Sequence, residues 1–214
     1  MFTVDADSED NRHTDQHAGA RFYNKSLNKT MVKVNQGNCY ITDMDDEILS
    51  TTLGSCISAC IRDPYLKIGG MNHFMLPESE TAEWTASQSI VSPHLRYGNF
   101  AMEQLLNSIL RRGGLRERLE IKIFGGGNVL KGSMNVGFRN ADFIESYLKN
   151  EGLKSVSGDL RGEKARRLQY FPTSGRVQMM YVSAVRAKEI TQKEKRDQIR
   201  TRPSDNSGDI ELFD

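Results

Sequence analysis

No stretch of the 214-residue chain approaches the run of about eighteen apolar residues that a membrane-crossing helix needs, so no segment is expected to span a membrane. Charge of one sign is also lacking. The 29 Lys and Arg against 28 Asp and Glu leave a net +1, which points to no polyanionic partner and argues against nucleic-acid binding. Cysteine is sparse. Three residues, an odd number, fit no disulfide framework and suit a reducing, cytoplasmic setting. The start of the chain lacks a basic segment followed by an apolar one, so no secretory signal is expected. No internal repeat is visible. The glycine run Gly125-Gly126-Gly127-Asn128 has neither a following Gly-Lys-Ser/Thr nor a GxGxxG ending, which argues against a nucleotide loop.

Hydrophobic content is 37% and charged content 27%, because the ends are polar and the middle is not. Residues 1–18 have no apolar periodicity and are expected to be a disordered tail. One domain is expected over 19–185, and 186–214 reads as a polar C-terminal extension. In that extension the basic stretch Arg186 to Arg202 interleaves Glu189, Glu194 and Asp197, a mixture typical of a solvated helix or tail. Ile210, Leu212 and Phe213 near its end fit either a frayed tail or a short docking peptide.

Within the domain, short strands are expected at Met31–Val34 and Cys39–Thr42 around a Gln36-Gly37-Asn38 turn, and at Glu47–Leu53. The segment Cys56–Ile61 alternates, with Ile57, Ala59 and Ile61 on one face and Cys56, Ser58 and Cys60 on the other. Asp63-Pro64 turns the chain, and Ile68–Leu76 returns as the second arm of a hairpin. Residues 78–91, with Trp84, read as a loop. Helical spacing marks Tyr97–Leu110, stopped by Gly113-Gly114, and Ala141–Leu148. Further strands are expected at Leu119–Phe124 and Lys154–Val156, with a hairpin of Arg167–Tyr170 and Arg176–Val182. Strands outnumber helices and several are hairpin-linked. The expected class is α+β, a mixed β-sheet layered sandwich with helices packed outside.

The chemistry-bearing residues are Gly54, Ser55 and Cys56, followed by His73. A cysteine after a glycine turn, with a histidine on the other arm of a hairpin, is the minimum kit for thiol acyl chemistry. Of the four histidines, His13 and His17 fall in the tail and His94 in a polar loop. Residue type alone leaves two readings open, since free cysteine is often simply buried and His73 could be a core histidine. Cys56 and Cys60, four apart on a strand, are about 13 Å from each other, too far to bridge or to share a tetrahedral metal.

The run Leu53 to Pro64, with Gly69-Gly70-Met71-Asn72-His73-Phe74-Met75-Leu76-Pro77, resembles the chemoreceptor glutamine deamidase family, CheD. The likeness continues in Ile123 to Gly127, in Asn135 to Asn140 and in Gly158-Asp159-Leu160-Arg161-Gly162. It implies a layered α/β sandwich and a cysteine hydrolase that converts glutamine side chains of methyl-accepting chemoreceptor cytoplasmic helices to glutamate, with no metal or organic cofactor. Cys56 would be the nucleophile and His73 the proton shuttle. The family also carries a threonine about six residues before the cysteine. A gap-free match puts Ser50 there, with Thr51 as the shifted alternative; along a strand only one of the two adjacent residues is well aimed. Backbone N–H groups near Ser55 and Cys56 are expected to hold the oxyanion, with Gly54, Thr51 and Gly126 as further candidates for the oxyanion site or its wall. Docking on a CheC-like phosphatase is a second implication, and a non-catalytic adaptor is the rival reading. The Cys–His pair alone would equally serve a peptidase or a transamidase.

Overall fold

The computed structural model describes residues 19–77, 93–129 and 135–200. The first eighteen residues, the loop with Trp84 and the tail with Ile210, Leu212 and Phe213 lie outside them.

The chain forms an α+β sandwich of two five-stranded mixed sheets with helices packed beside them. The first sheet has the order β1 (Arg21–Asn24), β2 (Lys29–Lys33), β4 (Glu47–Leu53), β9 (Arg166–Phe171), β10 (Arg176–Tyr181). The second has the order β3 (Cys39–Thr42), β6 (Ile68–Asn72), β5 (Ile57–Asp63), β7 (Glu120–Gly125), β8 (Ser155–Leu160). Each holds one parallel pair, β2 with β4 and β7 with β8, among antiparallel ones.

The period-2 alternation of β5 sets the layers. Ile57, Ala59 and Ile61 pack with Met102, Leu105 and Ile109 of α1 (Pro93–Arg111) and with Phe143 and Ile144 of α2 (Val136–Asn150). Cys56 and Cys60 face the other way, into a second core between the sheets with Leu49 and Leu53 of β4 and Leu168 and Tyr170 of β9. Apolar side chains on both faces make β5 a central, wholly enclosed strand.

The β5–β6 hairpin forms as its sequence predicts. Asp63 Oδ1 accepts from the backbone N–H groups of Tyr65 and Leu66 at 2.9 and 3.2 Å, and its other oxygen holds the Arg118 guanidinium. These bonds hold its carboxyl below the usual range although burial pushes the other way. The β9–β10 hairpin and both helices are also where the apolar spacing places them, α2 starting one turn earlier. β2 and β3 flank the expected turn but go to different sheets instead of pairing. β1 had no strong apolar alternation to announce it. A third helix, α3 (Ala184–Arg200), lies in the stretch expected to be solvated.

Candidate active site

Gly54-Ser55-Cys56 is the crossing from one sheet to the other, between the end of β4 and the start of β5. The bridge between Ile57 and Phe74, with N–H···O bonds of 2.8 and 2.9 Å, extends the hairpin by one step beyond β6. It makes Cys56 and His73 diagonal neighbours on the face turned toward the first sheet. A ring nitrogen of His73, Cys56 Sγ and a Glu194 carboxylate oxygen all lie within 4.8 Å of one another. His73 N–H bonds to Asn38 O at 3.0 Å and its carbonyl takes Gly37 N–H at 2.7 Å, so the backbone holds the residue from both sides.

Thr51 is the hydroxyl that meets His73. Its Oγ1 is 2.8 Å from Nδ1 and 2.9 Å from Val34 O. A carbonyl can only accept, so the hydroxyl hydrogen goes to Val34 and Nδ1–H donates to Thr51. That leaves Nε2 with a lone pair, and Nε2 is buried with no hydrogen-bond partner. Ser50, the residue chosen by the gap-free match, is also buried and lines the same cleft. Alternation separates the two. Leu49, Thr51 and Leu53 face the second sheet, while Ile48 and Ser50 face the other side of β4, where Ile48 packs with Met31 and Phe171.

Gly54 and Ser55 present their backbone N–H groups in the same direction. Both donate to the Glu194 carboxylate, Gly54 to one oxygen at 2.7 Å and Ser55 to the other at 2.9 Å; Ser55 Oγ adds a third bond at 3.0 Å. Convergent donors of this kind are what an oxyanion requires. Cys56 Sγ is also 3.7 Å from Gln36 Oε1.

The glycine run supports this loop from behind. Gly126 N–H donates to Cys56 O at 2.8 Å and Gly127 N–H to Gly54 O at 2.9 Å. Gly125 has φ +118, and a Cβ there would sit 2.0 Å from Cys56 O, so no other residue fits. Gly126, expected as a site wall, spends its amide on the backbone of Cys56.

The Asp159-Leu160-Arg161-Gly162 segment completes the support. Arg161 N–H bonds to Gly125 O and Gly162 O takes Asn128 N–H. The buried Arg166 guanidinium bonds to the carbonyls of Gly125, Asp159 and Arg161 and pairs with the Asp159 carboxylate at 3.1 Å. On the opposite side, Asn140 Nδ2 donates to Ser55 O at 2.8 Å while its oxygen takes Leu76 N–H at 3.0 Å. Arg166 carries no pattern that marks it from a single sequence as part of a site, and Asn140 closes a run that bears the family likeness without its role being readable there.

Burial, and then the Glu194 carboxylate, push the Cys56 thiol well above its ordinary value. Burial pulls His73 down to about 4. Both groups rest neutral. Cys60, on the same face of β5 as Cys56, is likewise pushed up by burial. None of the three cysteines, all among the described residues, forms a disulfide. Cys56, His73 and Glu194 together offer a sulfur, a nitrogen and an oxygen that could ligate a metal ion. A cleft of about 530 Å³ opens at the site, with Lys33, Thr51, His73, Arg186 and Glu194 among its walls. Among the described residues, no helix is long and apolar enough to cross a membrane.

Comparison with known proteins gives a consistent result. The family model described as CheD chemotactic sensory transduction matches residues 75–181. A protein of Rhodopseudomonas palustris (strain BisA53), named "Probable chemoreceptor glutamine deamidase CheD", is 47% identical over 194 residues, covering 90% of this chain and 89% of its own. Proteins of the same name from Saccharophagus degradans and Hahella chejuensis are 45% and 40% identical, with 90% of this chain and 89% and 90% of their own covered.

Proposed function

The chain belongs to the CheD family, and on that premise we propose that it is a protein-glutamine glutaminase that converts chemoreceptor glutamine side chains to glutamate and ammonia in the cytoplasm. The observation that carries this reading is the geometry of Cys56, His73 and Thr51 beside two convergent backbone N–H groups.

His73 Nε2, unprotonated because Nδ1–H is engaged by Thr51, takes the Cys56 thiol proton. The thiolate attacks the carboxamide carbon of the substrate glutamine. The carbonyl oxygen becomes an oxyanion between the N–H groups of Gly54 and Ser55, contacts worth about 3–4 kcal/mol each in other enzymes. The tetrahedral intermediate collapses, the C–N bond breaks, and the imidazolium gives its proton to departing ammonia. A γ-glutamyl thioester remains. His73 then takes a proton from water, the hydroxide attacks the thioester, and the carboxylate leaves as Cys56 is regenerated. Every step uses side chains and backbone N–H groups of this chain with water, and none calls on a metal or cofactor.

Two neutral partners suit this order of events. Proton transfer within the pair creates the nucleophile as the substrate arrives, and does not require an ion pair in the resting state. The assembled triad favours an enzyme over a non-catalytic adaptor for a CheC-like phosphatase, since docking alone needs no buried imidazole with a free Nε2. Ammonia release from a purified receptor cytoplasmic fragment, read with intact-mass analysis, tests the proposal. The amide-to-acid mass increment without chain cleavage is expected. Cleavage would point to a peptidase, and addition of an amine to a transamidase. An unmodified fragment bound in stable complex would favour the adaptor.

A further inference from the structure

The strongest unexplained contact is the one between α3 and the site. Glu194 is 4% exposed, although it stands on a helix of otherwise largely polar composition. Its carboxylate fills the seat made by Gly54 N–H, Ser55 N–H and Ser55 Oγ. That seat is where the reaction of a glutamine side chain would place its oxygen. A glutamate side chain is, atom for atom, the product of that reaction.

We infer that α3 is a built-in product analogue: it occupies the substrate groove with Glu194 in the position of the converted glutamine, and must lift away before a receptor segment can enter. This inference rests on the deamidase reading above and adds to it where the target side chain lies and what keeps the groove closed.

Three further observations support it. First, among the described side chains of α3, Ala187, Thr191 and Glu194 are the buried ones, spaced to share one helix face. Two of these are small, and the charge-assisted bonds of Glu194 fasten this face of the helix to the Gly54-Ser55 loop. An element held this way opens more readily than the core. Second, the approach depends on Gly54. A Cβ there would meet Glu194 Oε2 at 2.8 Å and Thr191 Oγ1 at 2.9 Å. Glycine at this point lets a helix come close enough for one of its side chains to reach Cys56. Third, the seated carboxylate lies within 4.8 Å of both Cys56 Sγ and a His73 ring nitrogen, so a substrate carboxamide has no room beside the thiol while α3 is down.

The seat distinguishes acid from amide. Each carboxylate oxygen accepts from one backbone N–H. A carboxamide has a single acceptor oxygen, and its NH2 would face one of those donors unpaired. The Glu194→Gln variant should therefore loosen α3. Whenever α3 reseats in that variant, the introduced glutamine is a substrate: Cys56 Sγ bonds to its Cδ, ammonia leaves with a proton from His73, and water releases the side chain as glutamate.

The test uses the full-length protein and four variants. In Glu194→Gln, residue-level mass spectrometry should show the introduced glutamine turning into glutamate at a rate independent of protein concentration, and Cys56→Ala in the same chain should stop it. Deamidation of a receptor cytoplasmic fragment by Glu194→Gln should start faster than wild type and decline toward it as the introduced side chain converts. Ala187→Arg should pry α3 off without touching the site, and Glu194→Ala should remove the analogue. Both should raise iodoacetamide alkylation of Cys56 and deamidation of the fragment by about tenfold or more, as for a groove closed at least nine-tenths of the time.

The inference is overturned if the glutamine of Glu194→Gln keeps its amide in a protein that deamidates the fragment while Ala187→Arg alkylates at the wild-type rate. It is equally overturned if Glu194→Ala lowers deamidation, because Glu194 would then serve the chemistry. If no form releases ammonia but Ala187→Arg still exposes Cys56, the deamidase reading fails and α3 remains a cover over the thiol.

Discussion

Thr51 Oγ1 receives a hydrogen bond from His73 Nδ1 at 2.8 Å and passes its own hydrogen to Val34 O at 2.9 Å. One hydroxyl thereby fixes the tautomer of the imidazole and leaves Nε2 as its basic nitrogen. Thr51→Ala should lower kcat by about tenfold to a hundredfold, the range seen when a histidine's orienting partner is lost. Ser50→Ala should have a much smaller effect, and Thr51→Ser should restore most of the rate. If Ser50→Ala proves the more damaging, His73 is not oriented through Thr51.

Cys56→Ala should abolish ammonia release and leave the unfolding midpoint close to wild type, because the seat and the hairpin do not depend on sulfur. Cys60 occupies the same face four residues on, packed between the sheets. Cys60→Ala should keep activity within about a few-fold and cost on the order of 1 kcal/mol through the smaller side chain. Deamidation by Cys56→Ala protein would remove the thiol mechanism altogether.

The depressed pKa of His73 makes a statement about stability. The ordinary value is 6.5 and burial lowers it to about 4. An unfolded chain therefore takes up a proton here that the folded chain refuses. Stability from this residue is complete above pH 6.5, falls as pH drops toward 4, and then levels off, a total of roughly 3 kcal/mol at most. Urea unfolding of wild type and His73→Gln between pH 4 and pH 7 isolates the effect. The stability difference between the two should shift in favour of the variant as pH falls. A difference that stays constant would mean that burial does not set the histidine's pKa.

Arg166 is a buried cation whose bonds end on the backbone of the glycine run and of the Asp159–Arg161 segment. Arg166→Met should cost about 3–5 kcal/mol, because the Asp159 carboxylate and three carbonyls lose their partner together. Denaturant midpoints measure this directly. A cost near zero would show that water replaces the guanidinium without strain.

Asn140→Asp should reduce kcat with little change in KM. It keeps the acceptor for Leu76 N–H and removes the donor to Ser55 O, in the loop whose N–H groups are proposed to hold the oxyanion. Wild-type kinetics in this variant would show that the loop is held without Asn140.

Much of the site was legible because its parts are local in sequence. Alternation in β5 put Cys56 on the face opposite Ile57 and Ala59, and the Asp63-Pro64 turn made the hairpin that returns His73 to it. Strand parity sets Ser50 and Thr51 on opposite faces of β4, and Leu49 and Leu53 mark the inward face that Thr51 shares. Counting back from the cysteine assumes a fixed offset, whereas strand parity follows from the pleat itself.

Composition and periodicity in this chain determined the class of fold, the central hairpin, the two packed helices and the cysteine–histidine pair, because each depends on neighbours a few residues apart. The tertiary structure alone decided what closes over them. Glu194 lies 139 residues from Ser55 along the chain, and in a mixed-charge stretch nothing distinguishes it from its solvated neighbours. Its burial depends on two backbone N–H groups that exist as a pair only where the chain crosses from one sheet to the other. Asn140 and Arg166 acquire their roles in the same way, by bonding to backbone atoms, which carry no side-chain signature for a sequence pattern to reveal.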